Sequence, residues 1–120
     1  MLRKILLCFG AFLPICAVAQ KQQFKVVAIA GYNCENLFDT IDDSTKKDED
    51  FTPTGSYAYT EEVYHQKLQN MASVIQQLGT DMTPDGAAIV GLVEIENGHV
   101  LQDLTSQPQL APRGYKYIWF

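Results

Sequence analysis

The chain has 120 residues, enough to bury one small core, and a formal net charge of -5 at pH 7. Two of its basic residues, Arg3 and Lys4, lie at the N-terminus, so the rest of the chain is more acidic still. This charge argues against the broad basic surface that many nucleic-acid-binding proteins present to phosphate groups. The negative charge does not exclude a metal site, because a bound cation supplies its own positive charge.

Residues 1–19 have the pattern of an export signal peptide. A basic start precedes an apolar stretch, and residues 17–19 form a small-x-small cleavage site. The stretch is too short to predict a membrane-spanning helix. Acylation at Cys16, as in a lipoprotein, is disfavoured by the large Ile15 before it. We therefore expect residues 20–120 to be exported, either to the periplasm or as a secreted protein.

The cysteine and histidine residues beyond the leader do not form a zinc or nucleophile pattern. Cys34 is the one cysteine there, which excludes an internal disulfide and favours a small buried side chain over a reactive thiol. His65 and His99 lack partners at zinc-ligand spacing. We expect both histidines to be solvent-exposed residues of helices or loops.

The hydrophobic pattern predicts strands and helices in alternation, which indicates an α/β fold. The predicted elements are, in chain order, a strand over 24–32, a turn or short helix over 33–38, a loop over 39–59, a helix over 61–78, a strand over 87–95, a short helix over 98–104 and a strand over 114–120. Thr60 is the predicted N-cap of the longer helix, and Gly79 ends it. The acidic run within the loop lacks the alternating ligands of a calcium loop, which favours a solvated, mobile segment.

Polar side chains follow both of the first two predicted strands. Asn33, with Glu35 and Asn36 just beyond it, follows the first strand, and Glu94 and Glu96 end the second. Carboxylates at the end of an apolar run cost desolvation energy unless a cation or hydrogen bonds satisfy them. Two strands that deliver amide and carboxylate oxygens to one edge of a sheet predict a site for a hard metal ion.

The second strand leaves two interpretations of its carboxylates open. Regular alternation would place Glu94 and Glu96 on the face of Val90 and Leu92, with Ile95 on the opposite face. The functional interpretation makes them ligands of Mg²⁺ or Mn²⁺. The other is an ordinary polar strand end at the surface, and the spacing alone does not choose between the two.

Two motifs resemble the opening of the endonuclease/exonuclease/phosphatase (DNase I-like) superfamily. They are Gly31-Tyr-Asn-Cys-Glu-Asn-Leu-Phe-Asp39 and Gly91-Leu-Val-Glu-Ile-Glu-Asn97. The chain is most similar to an exported bacterial branch of that superfamily, with further likeness in Phe51-Thr-Pro-Thr-Gly55 and Lys67-Leu-Gln-Asn-Met71. The resemblance extends over residues 24–120.

The resemblance implies a four-layer α/β sandwich and metal-dependent, nuclease-like hydrolysis of a phosphoester with Mg²⁺ or Mn²⁺. Nucleic acid is one candidate substrate, beside phosphoinositides, phospholipids and small phosphodiesters. Glu94 would bind the metal, and Asn33 would help to place the phosphate and the catalytic acid. Glu35, Asn36 and Glu96 match the branch's signature and would have a supporting role.

The family's later motifs, which carry a catalytic His, an Asp-x-Asn pair and a closing Asp-His, do not occur in these 120 residues. We therefore expect residues 20–120 to be the N-terminal part of such a domain, with a partial sandwich, weak metal binding and no efficient hydrolysis alone. The alternative is a small exported binding or structural domain without catalysis. Neither the substrate nor the oligomeric state follows from the sequence.

Overall fold

The computed structural model describes residues 23–119, and the structural statements below concern these residues. Strands β1 (Ala28–Leu37) and β2 (Ala87–Ile95) form a two-stranded parallel sheet. Helix α1 (Glu61–Ile75) packs against β1 and against helix α2 (Gly98–Thr105). This order of strand, helix, strand and helix confirms the α/β class, and the bounds of β2 are the predicted ones.

Strand β1 lies further along the chain than the sequence predicts. It begins at Ala28, opposite Ala87, because that is where β2 begins, while Phe24 before it is 83% exposed. It then continues to Leu37, whose side chain is fully buried opposite Ile95. The predicted turn or short helix over 33–38 is therefore wrong, because burial of Leu37 holds this polar segment in the sheet.

Helix α1 begins at its predicted cap and ends earlier than predicted. The Thr60 hydroxyl accepts a hydrogen bond from the Val63 backbone N–H at 3.4 Å. The helix ends at Ile75, and turns follow up to Gly79, which has a φ of 75°. A Cβ at Gly79 would lie 2.6 Å from the Cβ of Ala28, so this position requires glycine for both backbone and space.

One core lies between the two helices and one face of the sheet. Its buried members are Cys34, Leu37, Tyr59, Tyr64, Leu68, Met71, Ala72, Ile75, Val100, Leu104 and Leu110. The sequence predicts an apolar stripe on α1, because apolar residues recur there at helical spacing: Tyr64, Leu68, Met71, Ile75 and Leu78. The stripe is confirmed, since the first four are buried in this core and Leu78 packs against it. The other face of the sheet is open, with Ile29 at 72% and Ile89 at 58% exposure.

The long loop over 39–59 folds back onto the end of β1 and contains a 3-10 turn at Glu49–Phe51. The ring of Phe51 stacks on Phe38 with centroids 4.3 Å apart and meets Tyr59 edge-on at 5.8 Å. The aromatic side chains thus attach the end of the loop to the core. Most residues of the acidic run 42–50 are exposed, as the predicted solvated segment requires, while Asp48 is buried.

The predicted third strand is not formed over residues 114–119, and Phe120 lies outside the described residues. A second 3-10 turn, Ala111–Arg113, precedes this segment. The Tyr115 hydroxyl donates to the carbonyl of Ala87 at 2.6 Å, whereas Ile118 is 83% exposed. This segment is joined to β2 by a side-chain hydrogen bond, and not by the series of backbone hydrogen bonds that defines a strand. The predicted signal peptide also lies outside the described residues, and none of the helices described is long and apolar enough to span a membrane.

Candidate functional site

The candidate site lies where β1 and β2 end, at an irregularity in their pairing. Regular pairing runs as far as Asn33 opposite Val93 and resumes with Leu37 opposite Ile95. Three residues of β1 therefore face a single residue of β2, Glu94. Such a β-bulge bends a strand and redirects its side chains, and bulges are enriched beside active sites.

Three residues at the bulge have left-handed backbone conformations that are uncommon outside glycine. They are Glu35 at φ 49°, Asn36 at φ 56° and Glu94 at φ 61°. Each such residue costs on the order of 1–3 kcal/mol and persists only where its surroundings hold it. Strained residues of this kind cluster at functional sites. The bulge is therefore a candidate site on backbone grounds alone.

Hydrogen bonds join the two strand ends across the bulge. The Asn33 side-chain Nδ2 donates to Glu94 Oε1 at 2.9 Å, and the Asn36 backbone N–H donates to Glu94 Oε2 at 3.2 Å. The Glu35 backbone N–H donates to Asn33 Oδ1 at 2.7 Å. The predicted meeting of Asn33 and Glu94 is confirmed. Both residues are exposed, so the oriented carboxylate is open to solvent.

The side chain of Lys67 reaches the bulge from α1. Its ammonium Nζ donates to the carbonyl oxygens of Glu35 at 2.6 Å and of Asn36 at 2.9 Å. Burial lowers the pKa of Lys67, and the nearby Cys34, Glu35 and Glu94 oppose that effect. Sequence reasoning assigned no role to this lysine, although it adjoins Leu68 at the border of the apolar stripe. A lysine at such a border can extend its ammonium to polar groups at the edge of a core.

The alternation of β2 breaks at Glu94, so its two carboxylates have different environments. Val90, Leu92 and Ile95 all pack against the core. The prediction that Ile95 points away from the other two is therefore wrong, because the left-handed Glu94 between them shifts the alternation. Glu94 is exposed, whereas the side chain of Glu96 is only 3% exposed.

Glu96 anchors the start of the long loop. Its Oε2 accepts the Asp39 backbone N–H at 3.0 Å, and its Oε1 lies 3.4 Å from Lys46 Nζ. The Asn97 side chain donates to Asp39 Oδ2 at 3.2 Å and caps α2 by accepting the Val100 N–H at 2.9 Å. These partners satisfy the buried carboxylate, and the supporting role of Glu96 in the site stays a prediction. Sequence reasoning missed Lys46, since only the folded loop brings it here. It noted Asn97 at the end of the second motif without assigning it a role.

The metal-ligating capacity of the site rests on Glu94. Among residues 23–119, no group of three or more His, Cys, Asp or Glu side chains could hold a metal ion. A single exposed carboxylate still fits Mg²⁺ or Mn²⁺, because Mg²⁺ keeps several waters and is often held by one or two carboxylates together with substrate phosphates. The carboxylate oxygens of Glu94 suit such a hard cation.

The two histidines lie away from the bulge on exposed helix surfaces. His65 Nε2 lies 3.6 Å from Glu61 Oε2, and His99 Nδ1 lies 3.5 Å from Asp103 Oδ2. Each pair spans one turn of its own helix. The prediction that both histidines are exposed residues of helices or loops is confirmed.

Cys34, the first residue of the bulge, is a fully buried free thiol, as predicted. Burial raises the pKa of Cys34 to about 11, and Lys67 partly opposes the shift. The thiol is therefore neutral in the folded protein at physiological pH. A neutral buried thiol is a poor nucleophile, which separates Cys34 from the chemistry of the site.

Alkaline pH should destabilise the fold through Cys34. The thiol ionises near pH 9 when exposed and near pH 11 when folded, so its stabilising effect is complete below about 9 and is lost as pH rises to about 11. Urea titrations between pH 8 and 11 should show the free energy of unfolding falling over this window. The fall should be smaller in Cys34→Ala. An equal fall in both proteins would contradict this role of the thiol.

Comparison with known protein families gives a match that covers most of the chain. The family model described as "Endonuclease/Exonuclease/phosphatase family" matches residues 28–120, which is most of the chain. The protein therefore belongs to the endonuclease/exonuclease/phosphatase family. Comparisons with curated proteins and with solved structures found no significant match. The family acts on phosphoesters and generally uses divalent metals.

Proposed function

We propose that the protein takes part in nuclease-like, metal-dependent hydrolysis of a phosphodiester, with its site at the bulge between β1 and β2. The observation that carries this proposal is the contact of Asn33 with Glu94 at 2.9 Å, within a backbone that holds strained residues on both strands. Family membership supports a phosphoester substrate. Strain combined with an oriented, solvent-open carboxylate supports this position for the site.

Each residue of the site has a distinct part in this proposal. Glu94 would supply the carboxylate ligand of Mg²⁺ or Mn²⁺, which on binding brings the positive charge that stabilises a phosphoryl oxygen and a leaving oxygen. Asn33 holds Oε1 of that carboxylate and would help to place the phosphate. The backbone N–H of Asn36 holds Oε2. Glu96 secures the adjoining loop through Asp39.

The wider architecture belongs to the same proposal. A four-layer sandwich is supported by the open apolar face of the sheet, where Ile29, Ile89 and Val93 are each more than half exposed and could receive a second layer. Export through residues 1–19, the exported bacterial branch and the assignment of residues 20–120 as the N-terminal part of the domain stay predictions.

Paramagnetic Mn²⁺ locates the metal site directly. In a titration of the ¹⁵N-labelled chain, amide signals of Asn33, Asn36 and Glu94 should broaden first, and Mg²⁺ should reverse the effect. A phosphodiester such as bis(p-nitrophenyl) phosphate, added with Mg²⁺, should then shift the Asn33 side-chain amide signals.

The acidic loop provides the internal control for this titration. Asp42, Glu49 and Asp50 line a separate open cavity of about 520 Å³ and would attract Mn²⁺ without any designed site. Broadening that begins in this loop, or that is absent at the bulge, would contradict the proposal and favour a binding or structural domain without catalysis.

A further inference from the structure

The peptide group between Glu35 and Asn36 is held at both ends by side chains of the site. Its carbonyl oxygen accepts from Lys67 Nζ at 2.6 Å, while its N–H donates to Glu94 Oε2 at 3.2 Å. A peptide group is planar, so its carbonyl and N–H point in opposite directions and rotate together. Because Lys67 binds the carbonyl oxygen of Glu35, it also fixes the direction in which the N–H of Asn36 points.

At the bulge, the carbonyl groups of Glu35 and Asn36 lie outside the regular pairing of the sheet. Regular β1–β2 pairs stop at Asn33 and resume at Leu37, so the carbonyls between them need other partners. Lys67 supplies a charged donor to both Glu35 and Asn36. Hydrogen bonds from a charged donor are about twice as strong as neutral ones. The lysine thus stabilises two left-handed residues that would otherwise relax.

We propose that Lys67 is a positioning residue that orients the Glu94 carboxylate through the Glu35–Asn36 peptide group. The chain of contacts runs from α1 to the peptide carbonyl, through the peptide plane, and from its N–H to Glu94. Without the ammonium, the peptide can rotate, and Glu94 loses the donor to Oε2. This inference rests on the proposed function, in which Glu94 is the metal ligand.

The geometry also separates Lys67 from a direct role in chemistry. Two of the three donors of its ammonium are engaged by backbone carbonyls, and the side chain is half-buried. The residue acts from the side of the peptide opposite to Glu94. Loss of an outer partner of a metal ligand typically lowers metal affinity by about 10–100-fold. A change of this size is expected when Lys67 is removed.

Two measurements on the full chain test this role. Lys67→Met keeps the length of the side chain and removes the ammonium, and Lys67→Arg keeps a charged donor. We expect Lys67→Met to speed amide hydrogen exchange at Asn36 and to weaken Mn²⁺ binding by about 10-fold or more, measured by calorimetry. Lys67→Arg should show smaller changes than Lys67→Met in both amide exchange at Asn36 and Mn²⁺ affinity. Lys47→Met, at an exposed lysine of the loop, is the matched control and should change neither.

The outcomes separate this inference from the proposed function. Mn²⁺ binding at the bulge that is unchanged in a folded Lys67→Met variant, with unchanged exchange at Asn36, would overturn the role of Lys67 and leave the proposed function standing. A wild-type chain that binds no Mn²⁺ would overturn the proposed function and the metal part of the inference. Exchange at Asn36 would then still decide whether Lys67 holds the peptide. If Lys67→Met fails to fold, Lys67→Gln takes its place, because it also removes the charged donor. Faster exchange at Asn36 and weaker Mn²⁺ binding than in the wild type then support the role of Lys67, and wild-type values of both overturn it.

Discussion

Replacing Glu94 by glutamine should remove most of the affinity for Mn²⁺ while the fold persists. The carboxylate is the one exposed acidic group that the bulge orients, through Asn33 at 2.9 Å and Asn36 at 3.2 Å. Glutamine keeps the size of the side chain and loses the charge. The loss of affinity should exceed the roughly 10–100-fold that removal of an outer partner typically causes. Isothermal titration calorimetry with Mn²⁺ measures it.

The same substitution on helix α1 controls for net charge. Glu62 is an exposed glutamate in the first turn of that helix. Glu62→Gln should bind Mn²⁺ as the wild type does, and far-ultraviolet circular dichroism should show all three proteins folded. Equal losses in the two variants would mean that Mn²⁺ responds to overall acidity, and the assignment of Glu94 as a ligand would be wrong.

Truncation of Leu68 to alanine should have the largest effect on stability. Leu68 is fully buried in the core beneath the site and lies on α1 directly after Lys67. Removing a buried leucine side chain leaves a cavity and costs about 2–5 kcal/mol. A small domain is stable by only about 5–15 kcal/mol in total, so the variant should be close to unfolding on mild heating. Urea titration monitored by circular dichroism gives the free energy of unfolding.

Val74 provides a control on the same helix. Its side chain is 40% exposed, so Val74→Ala should change the free energy of unfolding by about 0.5 kcal/mol or less. Similar losses at Val74 and Leu68 would show that helix formation, not core packing, limits stability. A large loss at Leu68 alone would confirm that α1 is held by its buried stripe.

The regular elements followed from local pattern. The bounds of β2 came from an uninterrupted apolar run, and the start of α1 came from Thr60 and the acidic residues after it. The pairing of Asn33 with Glu94 was also predictable, because parallel strands bring their carboxyl ends to the same edge of a sheet. Local sequence specifies the bounds of β2 and the start of α1 because the forces behind them act within a few residues. The contact of Asn33 with Glu94 instead follows from the geometry of parallel pairing.

The bulge and the missing third strand depend on contacts between distant residues. Residues 33–38 carry turn-forming amino acids, yet burial of Leu37 keeps them in β1. The shift in the alternation of β2 follows from that bulge, so no pattern within β2 could show it. Residues 114–119 alternate like a strand but pair with neither strand of the described sheet. Core packing overrode the local preference for a turn in residues 33–38. In residues 114–119 the local preference for a strand was not sufficient to form one.

The parallel pairing of β1 and β2 determines when the site can form during folding. Ala28 and Ala87, the first paired residues, are separated along the chain by the long loop and by α1. A parallel pair cannot nucleate as a hairpin, and a distant pair must overcome the entropy of closing the whole intervening segment. Contacts of this kind form slowly compared with helices. The helix that carries Lys67 can therefore form before either the carboxylate of Glu94 or the amide of Asn33 has a partner.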